Sequence, residues 1–309
     1  MALPPLVYGA PLRSHKENVT PPHVLVGVSL LRHNIEQLRF VMGKPLSQQP
    51  EINVTGVTPR EVYFQALTMF RKANRLSFEQ TREIGSEPEL RTEVINPADV
   101  LELVNAAHQR INRIQSELGI PIKSIELQLD KSKTPTDVFR AIVESNRQLN
   151  LLLEERFSPA DVFQELTLAV GYSARLLAHF PGDRIPEEPK FVPGKQPKDV
   201  YKKLVECFLI IRDIAKRSNL KILELNVSER NIAYATPSDV YDIASLLVSE
   251  LAYLHSKLPG AKPPRQVHYP GRKFPSHVYQ RGGLLEEQLS KLHRFVETHP
   301  TWLEDSKEH

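Results

Sequence analysis

The segment Asn96-Pro97-Ala98-Asp99-Val100-Leu101 carries the pattern on which the fold of this chain depends. Asparagine is a preferred N-cap residue, because its side-chain oxygen accepts a free backbone N–H of the first helical turn. Proline follows at the first helical position, where the N–H that it lacks would have had no partner. The aspartate at the third helical position faces the positive end of the helix dipole and can complete a capping box. The segment therefore predicts that a helix starts at Pro97.

The same pattern recurs along the chain: a residue that is usually polar, proline, any residue, an acid or histidine, valine, and an aromatic residue or leucine. Its eight prolines are Pro21, Pro59, Pro97, Pro135, Pro159, Pro197, Pro237 and Pro275. The positions 3, 7, 14 and 17 residues after each proline are apolar almost throughout, which is one stripe at helical period. The pattern therefore predicts eight helices of about 20 residues, each about 30 Å long.

The spacing of the prolines predicts how the helices are grouped. The intervals are 38, 38, 38, 24, 38, 40 and 38 residues, so the short interval divides the chain into two sets of four. Adding 138 to 21 and 59 gives 159 and 197, and adding 140 to 97 and 135 gives 237 and 275. The sequence thus predicts an all-α protein of two tandem, internally duplicated four-helix units, built from eight repeats of about 38 residues. We expect an N-terminal extension over residues 1–19, a first domain over 20–157 and a second domain over 158–309.

The long connections predict the direction of the helices. About 15 residues, rich in proline and glycine, follow most helices. An antiparallel neighbour needs only about 2–8 residues, whereas 15 extended residues span about 50 Å and can return along a helix. We therefore expect the helices within each half to run parallel, joined by long Pro-rich return straps. The alternative is a helical solenoid in which each strap forms a second helix, which the proline content disfavours.

Composition restricts the class of protein. Hydrophobic residues make up 40% and charged residues 25%, as in ordinary globular proteins. The 40 Lys and Arg residues nearly balance the 37 Asp and Glu residues, and the absence of a Lys/Arg-rich block predicts no nucleic-acid partner. The single cysteine, Cys207, leaves no internal disulfide and is expected to be a buried, inert thiol. No apolar run approaches the roughly 18 residues of a transmembrane segment.

Localisation stays open at this point. The first residues show no basic region followed by an apolar region, so no signal peptide is visible. The default expectation is a cytoplasmic protein, but an exported protein from which the leader has been removed would also show no signal peptide.

The position eleven residues after each proline supplies the candidate site. In the second half it holds mostly apolar residues, but in the first half it holds Arg32, Phe70, His108 and Asn146. In parallel helices these four would share one layer, and Arg, His and Asn around a Phe could hold a small anionic or aromatic ligand. The alternatives are a self-satisfied hydrogen-bond layer and an Arg32 that points outward into solvent.

Three further departures from the repeat stand out. His23 and His277 replace the acid in the first and last copies, where they could bind a metal or simply mark terminal repeats. Gly282 and Gly283 lie within the last helix, which indicates either a close backbone contact or a local break. The basic, proline-rich segment 262–273 is either an ordinary strap or a polyproline surface for a partner.

No phosphate loop, GxSxG, HExxH or paired CxxC motif occurs, so the sequence predicts no catalytic residue, no metal and no cofactor. Repeated helical units more often supply binding surfaces than catalysis. The leading hypothesis is a non-catalytic binding or interaction module, with a small molecule in the first-half layer or a protein partner on a strap. Two alternatives stay open: an enzyme with its site in that layer, using His108 as acid or base, or at the junction of the halves; and a structural spacer. The oligomeric state is open.

Overall fold

The computed structural model describes residues 19–46, 49, 51–86, 88, 94–122, 125, 127–154, 157–180 and 186–305. These residues form an all-α protein. Its long helices are α1 (Pro21–Val41), α2 (Pro59–Thr81), α3 (Pro97–Glu117), α4 (Pro135–Leu152), α5 (Pro159–Leu177), α6 (Pro197–Arg217), α8 (Pro237–His255) and α9 (Pro275–Thr298). The short elements are β1 (Asn53–Thr55), β2 (Glu224–Asn226), α7 (Glu229–Ala233) and α10 (Trp302–Asp305). The N-terminal extension expected over residues 1–19 lies, except for Val19, outside the described residues.

All eight prolines are the first residues of helices, as the capping pattern predicts. At each start the side chain at the third helical position accepts the N–H of the N-cap residue. At six starts the acceptor is a carboxylate oxygen, 2.7 to 2.9 Å from the nitrogen. At the first and last starts it is Nδ1 of His23, at 3.2 Å, and of His277, at 3.1 Å. The two histidines therefore take over the capping role of the acid.

The chain forms two compact units. The first consists of Met1–Gln48 and Val57–Glu154, and the second of Gln49–Gly56 and Glu155–His309. In the first unit α1 and α2 each pack against both α3 and α4; in the second, α5 and α6 each pack against both α8 and α9. The apolar stripes form the cores of these units: the four stripe residues of α3, for example, are all buried (Val100, Val104, Ile111 and Ile114).

The connection between α1 and α2 is divided between the two units. Residues 49–56 fall inside the expected first domain but pack with the second unit. The reason is a backbone pairing: β1 is antiparallel to β2, with Asn53 opposite Asn226 and Thr55 opposite Glu224. Val54, between two exposed residues, is buried. The connection from α1 to α2 is therefore not a strap confined to its own half.

Two other connections lie along helices of the second unit. In the strap before α6, Lys195 N donates a hydrogen bond to Ser276 Oγ at 3.1 Å, and Pro189 O accepts one from Gln280 Nε2 at 2.8 Å. The strap before α9 accepts at Lys262 O from Arg175, at 2.8 Å, while Tyr269 N lies 3.4 Å from Gln164 Oε1. Each strap thus runs from the C-terminal toward the N-terminal end of the helix beside it. In the described residues, neither of these two straps contains a helix.

Cys207 is buried, as expected, and burial raises the pKa of its thiol well above the ordinary value. In the part of the chain that the structure describes, no helix combines the length and apolar character needed to cross a bilayer.

Candidate functional site

The four predicted site residues differ in their exposure to solvent. Arg32 is exposed, His108 is half-buried, and Phe70 and Asn146 are buried. Helical geometry gives the reason. At about 100° per residue, the position eleven residues after the proline lies about 75° from the centre of the apolar stripe. It is therefore a boundary position, which the neighbouring helices can cover or leave in solvent.

The arginine that faces Phe70 is Arg110, not Arg32. The Arg110 guanidinium carbon lies 5.9 Å from the centroid of the Phe70 ring. Its Nε donates to Asn74 Oδ1 at 3.2 Å, and Asn74 also exchanges two hydrogen bonds with the backbone of Gly85. Arg110 therefore fastens the strap that follows α2. The repeat gave no signal for this arginine, because it lies outside the apolar stripe.

His108 joins a group of polar side chains between α1 and α3. Asn34 Nδ2 lies 2.7 Å from His108 Nε2 and donates to Asn112 Oδ1 at 2.8 Å. Further along the two helices, Gln115 Nε2 donates to Gln37 Oε1 at 2.9 Å. We call these five residues the α1–α3 seam. Asn34 and Gln115 form its buried floor, and His108, Asn112 and Gln37 are half-buried at its edge.

The hydrogen bonds of the seam indicate a neutral His108. The Asn34 amide nitrogen can only donate, so His108 Nε2 accepts and the ring proton is on Nδ1. Burial lowers the pKa of His108 below its ordinary value of 6.5. Both observations favour the uncharged imidazole at neutral pH.

The floor of the seam contains two acceptors without donors. Asn34 Oδ1 and Gln115 Oε1 are buried and have no hydrogen-bond partner among the described residues. Asn34 uses both of its N–H groups within the seam, so it has none left to offer. An unpaired buried carbonyl oxygen costs about 1–3 kcal/mol. Asn34 Oδ1 and Gln115 Oε1 can each accept a hydrogen bond from an N–H or O–H group.

Asn146 lies elsewhere, against α2. Its Nδ2 is 3.4 Å from the Gln65 carbonyl oxygen and 3.5 Å from Gln65 Oε1. Its Oδ1 is a further buried acceptor without a partner. His108 therefore contacts α1, whereas Asn146 contacts α2.

A cavity does lie where the helices of the first unit begin, but it is too small for a ligand. Its lining consists of the first proline of each helix and the valine three residues later: Pro21, Val24, Pro59, Val62, Pro97, Val100, Pro135 and Val138. Its volume of about 10 Å³ is roughly the space that one water molecule needs. With apolar walls, this cavity is a packing feature of the helix starts.

The surroundings of His108 do not resemble an acid–base site. In the described residues its hydrogen-bond partner is the Asn34 amide, and no carboxylate pairs with it. Nor do these residues contain a group of three or more His, Cys, Asp or Glu side chains placed to hold a metal ion. Within the described residues, the seam consists of amide and imidazole groups that hydrogen-bond to one another, with no charged partner beside the imidazole.

Comparison of the chain with protein-family models, with curated proteins and with solved structures finds no match. Function is therefore inferred from the side chains themselves.

Proposed function

We propose that this chain is a non-catalytic binding module whose α1–α3 seam holds a small molecule. The observation that carries the proposal is the pair of buried, donor-less oxygens Asn34 Oδ1 and Gln115 Oε1. They lie on facing helices, and each is next to a hydrogen bond that joins those helices. A molecule with two or more N–H or O–H groups would satisfy both.

The chemistry of these atoms changes the expected ligand class. An anion would place negative charge against carbonyl oxygens, and Arg32, the cation expected to balance it, is exposed. We propose a neutral or cationic hydrogen-bond donor, such as a polyol or an alkylamine, instead of an anionic or aromatic compound. His108 and Asn112, half-buried at the edge, are on the side from which such a molecule would enter.

The two alternative functions, a structural spacer and an enzyme, have less support than the binding module. A structural spacer requires a filled, satisfied polar layer, whereas the seam leaves two buried oxygens without partners. An enzyme based on His108 requires a charged or nucleophilic partner beside the imidazole, and the partner is an amide. Binding without chemistry is what these side chains support best.

We also propose that the two units arose by tandem duplication and that the helices within each run parallel. Three observations support this. The two units share one pattern of helix neighbours, the four helix starts of the first unit line one cavity, and both straps described in the second unit run back along helices. Amide-to-amide distances between helix starts, measured by NMR, would test the arrangement; starts at alternating ends would contradict it.

The ligand proposal is tested by titrating the isotope-labelled protein with myo-inositol and with putrescine while following the side-chain amide signals of Asn34 and Gln115. We expect saturable shifts with at least one of them and none with acetate or benzoate. Gln115→Leu should abolish the response. The matched control Asn146→Leu, which removes a buried, donor-less oxygen outside the seam, should retain it.

One combination of results would contradict the ligand proposal. If neither compound shifts the seam amides, and a crystal structure shows ordered water on both oxygens, the seam is a hydrated structural contact and the proposal fails.

A further inference from the structure

A second feature, independent of the seam, lies on the surface of the second unit. Between Glu250 and Glu286 the chain contains no acidic residue. The same stretch carries the cations Lys257, Lys262, Arg265, Arg272, Lys273 and Arg281. Most of it forms the strap before α9 and the first turns of that helix, so the cations are concentrated locally although the whole chain is nearly balanced.

Exposed aromatic and aliphatic side chains share this surface. Residues of the two straps with large exposed fractions are Phe191 (47%), Val192 (44%), Val267 (48%), Tyr269 (41%) and Phe274 (50%). Phe191 and Phe274 both pack against His277: their ring centroids lie 5.0 and 5.8 Å, respectively, from the centroid of the imidazole ring. The two straps are thus joined in one patch around the start of α9. We call residues 191–192 and 262–281 the strap face.

The cations of the strap face are held in place by aromatic rings. Arg272 lies 5.2 Å from the centroid of Phe274, and Lys273 lies 5.0 Å from that of Phe163. Arg281 lies 4.7 Å from the centroid of Phe163 and 5.3 Å from that of Tyr269. Cation–π contacts of this kind restrict long side chains that would otherwise be mobile. The positive groups are therefore ordered before any partner arrives, which lowers the entropic cost of binding.

We infer that the strap face docks an extended, acidic peptide segment of a partner protein, in which Asp or Glu alternates with apolar residues. Charge complementarity requires the acidic side chains, and the exposed rings and valines require the apolar ones. Arginine and aromatic residues are also those that contribute most to protein–protein interfaces. The strap before α9 runs along α5 from Arg175 to Gln164, a distance of about 16 Å. An extended peptide segment of about five residues has the same length.

Two other anionic partners fit less well. Single-stranded nucleic acid needs free aromatic faces for base stacking, and Arg272 already covers one face of Phe274, as Lys273 and Arg281 cover Phe163. A flat anionic membrane would also meet the exposed Glu187 and Glu188, in the strap that carries Phe191, whereas a narrow peptide can lie along residues 262–273 alone. Glu188 is paired with Arg281, at 3.3 Å, whereas a flat charged bilayer would meet both carboxylates together.

The test uses the full chain and a fluorescent 12-residue peptide in which glutamate alternates with leucine and tyrosine, with a glutamine-for-glutamate peptide as its control. We expect anisotropy titrations to show saturable binding of the acidic peptide, weakened at least tenfold between about 50 and 300 mM salt because exposed charges are screened. The glutamine peptide should not bind. No saturable binding of the acidic peptide would overturn the inference.

Matched variants locate the binding. Arg265→Glu with Arg272→Glu should weaken peptide binding at least tenfold, whereas the same charge change at Lys131→Glu with Lys221→Glu, both exposed and outside the strap face, should change it less than twofold. Equal losses in the two pairs would show a general charge effect and overturn the assignment to this surface.

The variant Phe274→Ser tests whether a loss of peptide binding can occur without a loss of folding stability. Phe274 is the N-cap of α9 and makes no side-chain cap, whereas serine is a preferred cap. This variant should raise the melting temperature and still weaken peptide binding. Tighter binding of single-stranded DNA or of phosphatidylserine vesicles than of the peptide, with the same dependence on Arg272, would overturn the choice of partner.

Discussion

Gly283 faces Pro189 so closely that a Cβ atom on the glycine would lie 3.1 Å from the proline Cγ. A Cβ on the adjacent Gly282 would lie 3.4 Å from Leu204, which is an ordinary packing distance. α9 continues without interruption through both residues. Gly283 is therefore a site of close approach by the strap before α6, Gly282 packs against α6 at an ordinary distance, and the pair does not break the helix.

The two glycines should respond differently to alanine. Gly282→Ala should raise the free energy of unfolding by up to about 1 kcal/mol, because alanine is the better helix former and the site has room. Gly283→Ala should gain less or lose stability, because Pro189 must move. Urea denaturation of both variants would measure the difference. Equal gains would show that the strap does not press on the helix.

Asp137 should contribute to the start of α4 through its bond to Thr134 N, which is 2.9 Å long. Hydrogen bonds from the Thr134 backbone and hydroxyl hold the pKa of this carboxyl below its ordinary value. We expect Asp137→Ala to cost about 1 kcal/mol at neutral pH, measured by chemical denaturation. Asp137→Asn, which keeps an acceptor, should cost less. A cost below experimental error for Asp137→Ala would contradict the capping role.

His108 should make stability depend on pH. Because burial lowers its pKa, the unfolded chain binds a proton at a higher pH than the folded chain does. Stability is therefore full above the unfolded pKa of about 6.5 and is lost as pH falls toward the folded pKa. We expect the melting temperature to fall between about pH 7.5 and pH 5.

The control for this pH dependence is His108→Gln, which should reduce its slope. His255, whose pKa is lowered by burial and then by Arg175, should account for a second part. An unchanged slope in His108→Gln would contradict a neutral, buried imidazole.

Two buried asparagines should give opposite results when replaced by leucine. Asn34→Leu leaves His108 and Asn112 without their donor and should cost about 1–3 kcal/mol. Asn146→Leu removes an unpaired oxygen and only long contacts to Gln65, so the change should stay within about 1 kcal/mol or stabilise. Thermal and urea unfolding would measure both. A larger loss of stability for Asn146→Leu than for Asn34→Leu would contradict the different roles that we give to the two side chains.

Part of the candidate site was visible in the sequence. His108 was found because the position eleven residues after the proline is mostly apolar in the second half, a signal that the sequence carries by itself. Asn34, Asn112 and Gln115 gave no such signal, since amides outside the stripe are ordinary surface residues until another helix covers them. The same reasoning misplaced Arg32: a boundary position can be buried or exposed, and only the neighbouring helix decides which.

The sequence by itself determined the helices, because caps, first-position prolines and apolar periodicity act within a few residues and require no partner. It also identified Gly282 and Gly283 as exceptions, although not what lies against them. Only the tertiary structure decided which polar groups meet, that residues 53–55 pair with β2, and that Pro189 reaches Gly283. These contacts join residues far apart in the chain, and their geometry depends on how each helix is rotated against its neighbours, which no local pattern encodes.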